Sequence, residues 1–165
     1  MMNYQIVQLQ AKKVAGLKIR TNNQSETMGA QIGALWQKFY SEAVSSIPGQ
    51  VTGYGIGLYT NYASDQSGEY DMFVCCEVTE RTELPEQFET AVIPAGSYAE
   101  FVVYGDVQRD VAAFWAELWQ MPLHRSFTGD FEEYRCVDSM GNAQIHIYIA
   151  LKDVPKGERE NGNCS

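Results

Sequence analysis

"AQIHIYIAL", residues 143–151, is the stretch from which the fold is read. Side chains along a strand alternate between two faces. Ile145, Ile147, Ile149 and Leu151 therefore line one side, and His146, Tyr148 and Ala150 the other. The all-aliphatic side belongs against helices, and the side with Tyr and His reads as amphipathic and half open. An earlier run, "EYDMFVCCEV" at 69–78, alternates in the same way. There Met72, Val74 and Cys76 take the helix side, and Asp71, Phe73 and Cys75 share the face of Tyr148.

Working outward from these two strands, the chain repeats. Met72 corresponds to Ile147 and Tyr59 to Tyr134, each a shift of 147 − 72 = 75. Trp36 corresponds to Trp115, a shift of 115 − 36 = 79, and Ala11 to Ala95, a shift of 95 − 11 = 84. The shift falls in steps, as shorter loops and a shorter helix in the second copy would require. "YQIVQLQAKKVAGLKIRT" (4–21) and "FETAVIPAGSYAEFVVYG" (88–105) open the copies as extended segments, each expected to be split. Helical periodicity follows in both. Met28, Ile32, Leu35, Trp36, Phe39 and Ala43 share one face between Thr27 and Ser46. Val107, Val111, Phe114, Trp115, Leu118 and Trp119 share another between Asp106 and Gln120, with Asp106 as N-cap.

Each copy reads β-α-β-β, and helices set beside antiparallel strands are the α+β solution. The expectation is a tandem duplication giving a largely antiparallel sheet of about eight strands, with two main helices on one face. Residues 1–155 form a single domain, with repeats at 1–80 and 87–152, and 156–165 form a polar, flexible tail.

"GDFEEYR" (129–135) poses the functional question, because adjacent Glu132 and Glu133 must face opposite sides of the sheet. By the repeat, Gly57 and Tyr59 correspond to Glu132 and Tyr134, while Ile56 and Leu58 correspond to Phe131 and Glu133. Taking Ile56 and Leu58 as packed on the helices puts Gly57, Tyr59, Glu132 and Tyr134 on the opposite face, with Phe73 and Tyr148. Glu133 is then expected near a strand end, reaching solvent or a basic side chain. Aromatic rings around a single carboxylate attract organic cations, at roughly 0.5–2 kcal/mol per ring contact. A glycine such as Gly57 leaves room there.

Composition narrows the alternatives. A net charge of −9 argues against a nucleic-acid surface and favours solubility or cationic partners. Cys75, Cys76, Cys136 and Cys164 make no C-x-x-C pair, so neither a zinc site nor a disulfide framework is expected, and a reducing cytoplasm fits. No apolar stretch reads as a signal peptide or a membrane span. Asp65, Glu69 and Asp71 lack calcium-loop spacing and read as surface turn acids. His124 reads as a solvated loop residue and His146 as a satisfied polar residue. No metal, cofactor or catalytic residue is expected.

Five motifs, "GLKIRTNN" (16–23), "IGALWQKF" (32–39), "YASDQSGEYD" (62–71), "IPAGSYAEF" (93–101) and "DFEEYR" (130–135), carry a family likeness in order and spacing. The chain resembles the effector-binding domains of AraC-type regulators, also called gyrase-inhibitor-like domains, and within them the stand-alone, integron-associated branch. The resemblance implies a duplicated β-α-β-β fold with a pocket between the halves for drug-like, often cationic, ligands. The family's Phe-Glu-x-Tyr pattern selects Glu132, and its pocket aromatics correspond to Tyr59, Phe73, Trp115 and Tyr148. Unlike the fused regulators, the chain has no helix-turn-helix before the first strand. Any regulatory role would then need a partner protein or a separate operon context; the partners expected are a small hydrophobic cation and a protein partner or homodimer, without direct contact to nucleic acid or membrane. The leading expectation is a cytoplasmic sensor, transcription-regulation module or sequestering protein for hydrophobic cations. Two others stand beside it. One is a hydrolase of electrophilic compounds, as some members of the fold family are, with Glu132 as base and Tyr134 as donor. The other is an inhibitor that docks on a macromolecule such as gyrase.

Overall fold

The computed structural model describes residues 3–22, 27–51, 54–64, 68–80, 83–106, 109–139 and 142–152. Val107, Asp65 and the tail at 156–165 lie outside them, as do the side chains of Ala43 and Cys136. The first half contains β1 (Gln5–Leu9), β2 (Lys12–Asn22), α1 (Met28–Lys38), β3 (Gly55–Thr60) and β4 (Glu69–Glu77). The second contains β5 (Glu89–Ile93), β6 (Gly96–Gly105), α2 (Arg109–Leu118), β7 (Gly129–Ser139) and β8 (Asn142–Ala150). Both opening segments are split. In the second, the break falls at Pro94, which has no N–H to give a ladder.

All pairings are antiparallel, in the order β1-β6-β8-β7-β3-β4-β2-β5. Replacing each strand by its counterpart in the other half reverses this order onto itself. The halves meet at β3 and β7, and each sends its first short strand to the far edge of the other: β1 lies against β6, and β5 against β2. At the centre Gly57 faces Glu132. Those two residues are also each other's counterparts under the shift of 75, so a pseudo-twofold axis passes between them.

Both helices cover one side of the sheet. Leu35 and Phe39 pack on Ala15, Met72, Val74 and Cys76. Val111, Phe114 and Leu118 pack on Ala99, Phe101, Ile145, Ile147 and Ile149. The other side is equally dry. Ile56, Leu58, Phe73, Phe131 and Tyr148 from the middle of the sheet meet Val7, Leu9 and Ala91 from its two edge strands in one cluster. An open sheet brings its edges over its own centre only by curling, so this face closes upon itself.

Two local signals set the helices. Asp106 accepts the Arg109 N–H through its carboxylate at 2.7 Å, and the Asp106 N–H donates to Asp110 at 2.6 Å, which closes the start of α2. Gly105, with φ +131°, makes that closure possible, since a β-carbon there would lie 2.2 Å from the Asp110 carboxylate. α1 does not end cleanly. It widens into a π-helical turn at Phe39–Ala43 and then tightens into a 3₁₀ turn at Val44–Ser46.

Asp106→Ala should cost ~1 kcal/mol by removing the cap of α2. Urea unfolding monitored by tryptophan fluorescence checks this. An unchanged midpoint would mean that the cap holds nothing.

Candidate functional site

Ladder register decides which side each site residue takes, because residues directly opposite in antiparallel strands share a face. Glu132 lies between Gly57 and Ile147, and Gly57 lies against Val74. Val74 and Ile147 are helix-side core. Glu132, Tyr134, Tyr59 and Gly57 therefore face the helices, and the sequence-based placement on the Tyr148 side is corrected. Phe73 and Tyr148 remain on the opposite face, away from Glu132. Phe73 is buried with Lys18 over its ring, and Tyr148 stacks on Phe131 at 4.6 Å. Ile56 and Leu58 are fully buried as expected, but on the helix-free side. Both faces are dry, so aliphatic character alone could not orient the strand.

Both glutamates are buried, Glu132 at 1% exposure and Glu133 at 3%. Their environments differ. Glu133 pairs inside its own strand with Arg135, whose Nε donates at 2.6 Å and whose Nη2 donates to the Tyr148 hydroxyl at 2.8 Å. Of its two expected fates, the basic partner holds and the solvent contact does not. Glu132 forms no ion pair with any described Lys or Arg. It receives three neutral donors instead: Tyr134 Oη at 2.8 Å on one oxygen, and Tyr59 Oη at 3.0 Å and Trp115 Nε1 at 2.6 Å on the other. Burial drives its carboxyl above the ordinary range, and the bonds from Trp115, Tyr134 and Tyr59 only partly pull it back. The same burial, with the carboxylate beside them, drives the Tyr59 and Tyr134 phenols well above theirs, so both remain donors.

Gly57 is what admits this carboxylate. A β-carbon at position 57 would sit 3.2 Å from Glu132 Oε1, 3.1 Å from Met72 and 3.3 Å from Trp36. Gly55 has the matching role two residues earlier on the same face, where the Tyr40 hydroxyl and Trp36 ring occupy the space of a β-carbon. Under the shift of 75, Gly55 and Gly57 are the counterparts of Asp130 and Glu132. One half supplies room and the other supplies carboxylates.

In front of Tyr59 and Trp115 a cleft of about 330 Å³ opens between the helices. Met28 and Ile32 of α1 form one wall, Ala112, Trp115 and Trp119 form the other, and Tyr59, Tyr62 and Tyr70 form the floor. Twofold symmetry would give a second cleft beside Tyr134. There Trp36 stacks on Tyr134 at 5.0 Å and Tyr40 stacks on Trp36 at 5.6 Å. Tyr40 is the counterpart of Trp119 under the shift of 79. It is carried over Gly55 by the π-helical turn that follows α1, a distortion common at functional sites. α2 ends at Leu118 without such a turn, and Trp119 stays at the rim of the open cleft.

At the far end of the cleft Arg125, 7% exposed, donates from Nη2 to Asp130 at 2.7 Å. Asp130 also accepts the Tyr62 hydroxyl at 2.6 Å and the Ala150 N–H at 2.8 Å. Of the expected site residues, the structure thus gathers Glu132, Tyr134, Tyr59, Trp115 and Gly57, and leaves out Phe73 and Tyr148. Sequence reasoning missed Trp36, Tyr62, Tyr70 and Arg125. Trp36 was available to it as the repeat counterpart of Trp115. Arg125 had no periodicity to mark it. Among the described residues no cluster of His, Cys, Asp and Glu is arranged to hold a metal ion, and no helix is long and apolar enough to cross a membrane.

Comparison with known proteins agrees with this architecture. The family model for integron-associated effector binding proteins matches residues 5–151. The transcriptional regulator-like protein YobU of Bacillus subtilis (strain 168) is 34% identical over 154 residues, covering 89% of this chain and 96% of its own. An integron cassette protein from the mobile metagenome of Vibrio cholerae superimposes with a TM-score of 0.71 at 30% identity, over 90% of this chain and 95% of that one. SAV2435, solved bound to tetraphenylphosphonium, shares the fold with a TM-score of 0.74 at 19% identity, over 92% of this chain and 94% of that one.

A carboxyl whose folded-state pKa is raised binds protons more readily in the folded chain. Its contribution to stability therefore falls as pH rises from the ordinary Glu value, about 4.3, through the raised one. Glu132→Gln carries no such charge, so its melting temperature should gain on the wild type as pH climbs from about 4 to 7. A difference, variant minus wild type, that stays constant or falls across this window would contradict a strained, ionised Glu132.

Proposed function

The chain belongs to the integron-associated effector binding protein family, and from that premise we propose that its inter-helix cleft takes hydrophobic organic cations, which the protein senses or sequesters. The observation that carries this reading is the buried Glu132 carboxylate, held by three neutral donors and, among the described residues, no counter-ion, directly behind the aromatic lining. Taking a lone charge out of water costs on the order of several kcal/mol. A cation in the cleft offsets that cost, whereas an anion adds to it.

The lining suits the same ligand. Tyr59 and Trp115 donate their polar hydrogens backward to the carboxylate, which leaves their electron-rich ring surfaces to a guest. An overall charge of −9 adds long-range attraction for cations. The tetraphenylphosphonium held by SAV2435, a protein of the same fold, is a ligand of this chemical type and supports the reading by analogy.

A matched pair of probes tests it: a biphenyl bearing trimethylammonium and the same biphenyl bearing uncharged tert-butyl, titrated against intrinsic tryptophan fluorescence. The cation should bind more tightly, and moderate salt should leave most of the preference intact, because a desolvated contact is poorly screened. Glu132→Gln should weaken the cation alone, by ~1.5–3 kcal/mol for a lost charge-assisted contact, or roughly ten- to a hundred-fold in Kd. Glu133→Gln, on the other face, should leave the preference in place. Equal affinity of the two probes would overturn the proposal. The raised Glu132 carboxyl is also what a general base requires, so activated esters belong in the same assay. Repeated turnover abolished by Glu132→Gln would replace binding with hydrolysis as the function.

A further inference from the structure

The closed half of the molecule shows how these rings treat a flat guest, because one of its own side chains plays that part. Trp36 lies between two tyrosines, stacked on Tyr134 at 5.0 Å with 28° between the planes and on Tyr40 at 5.6 Å with 21°. Near-parallel rings at such separations attract one another. The repeat counterparts of Trp36, Tyr134 and Tyr40 are Trp115, Tyr59 and Trp119, and all three line the open cleft.

In the open half Trp115 does not take the middle place. It donates Nε1 to Glu132 and meets Tyr59 edge-on, at 5.4 Å and 69°. Tyr70, the other ring beside Tyr59 among the described residues, is also edge-on, at 65°. Trp119 has no ring contact among the described residues and is 41% exposed at the rim. Nor does it fold down as Tyr40 does. Tyr40 fills room left by Gly55, whereas the counterpart of Gly55 is Asp130, which holds Tyr62 and Arg125 at the end of the cleft.

We propose that Trp119 is a ligand-contact residue, the outer wall of a slot in which a planar ring system of the ligand lies between it and Tyr59, in the place that Trp36 takes in the closed half. The proposal rests on the cation-binding reading and narrows its ligand class to flat aromatic cations of about indole size, with the charge in the ring or attached to it. Such a guest gains stacking on both faces and cation–π attraction from the same two rings, with the Glu132 carboxylate behind Tyr59 and Trp115.

Equilibrium dialysis of three compounds tests this. N-methylquinolinium is flat and cationic, N,N-dimethyldecahydroquinolinium keeps the charge and the fused skeleton without a flat face, and 1-methylnaphthalene is flat and uncharged. The wild type should bind N-methylquinolinium roughly ten-fold more tightly than the saturated cation, each stacked face contributing about three-fold. Trp119→Leu keeps apolar bulk at an exposed position and loses the ring face, so the ratio should fall to about three. Trp119→Phe should retain most of it. A wild type without preference for the flat cation would overturn the proposal, as would a ratio that Trp119→Leu leaves unchanged. The two claims fail separately. Equal binding of N-methylquinolinium and 1-methylnaphthalene defeats the cation reading, while weaker binding of 1-methylnaphthalene by Trp119→Leu than by the wild type still reports on the slot.

Discussion

One carboxylate without a counter-ion among the described residues, Glu132, organises the centre of this protein. A strand residue at the junction of two half-sheets is ordinarily apolar, since both faces there are dry. Placing a charge at that point imposes conditions on its neighbours. The facing residue must lack a side chain, and Gly57 does. Donors must converge from several elements, and Tyr59 of β3, Tyr134 of β7 and Trp115 of α2 do. The helix carrying Trp115 must be fixed, which the Asp106 cap and the packing of Phe114 and Leu118 achieve. Remove the carboxylate, and the convergence of these three donors on one point has no evident purpose.

The same demand explains why the duplication is imperfect. Had both copies kept a glutamate, the two carboxylates would face each other directly across the β3–β7 ladder, where Cβ atoms are only about 5 Å apart and like charges destabilise. A site on the pseudo-axis can hold one charge. Glycine in the first copy and acid in the second satisfy this limit at position 57/132, and the pattern recurs at 55/130. The helices diverge accordingly. Beside the glycines, α1 lays Trp36, and the π-helical turn after it lays Tyr40, over the space they leave. On the other side of the axis the space stays open as the cleft.

Much of this was legible in the sequence. Helical spacing located both helices, alternation in β4 and β8 assigned their faces correctly, and the repeat offsets implied two copies of one unit. What failed was the facing of β3 and β7. Ile56 and Leu58 suggest the helix side, but the curled sheet buries its other face as deeply, so aliphatic residues fit both. The residue that breaks the tie is Trp115. It lies on the sheet-facing side of its helix, and a buried indole N–H requires an acceptor. Glu132 can serve only if it faces the helices, and that excludes Phe73 and Tyr148 from the same site. Arg125 was not legible, because an isolated loop residue acquires meaning only from what the fold sets around it.

Glu132 and Glu133 show the same chemical problem solved in two ways on two sides of one strand. Glu133 meets its cation within the chain, in Arg135, and the pair is closed by the Tyr148 hydroxyl. A carboxylate so neutralised exerts little attraction on a guest. Glu132 receives dipoles instead of a charge, so it is held in position without being neutralised. Neutral donors are the arrangement that keeps both properties. An Arg in place of Trp115 would supply internally the charge that a cationic ligand is proposed to bring. The surrounding apolar clusters must then provide the stability that an unneutralised carboxylate withholds, which accounts for a small domain whose sheet is packed to dryness on both faces.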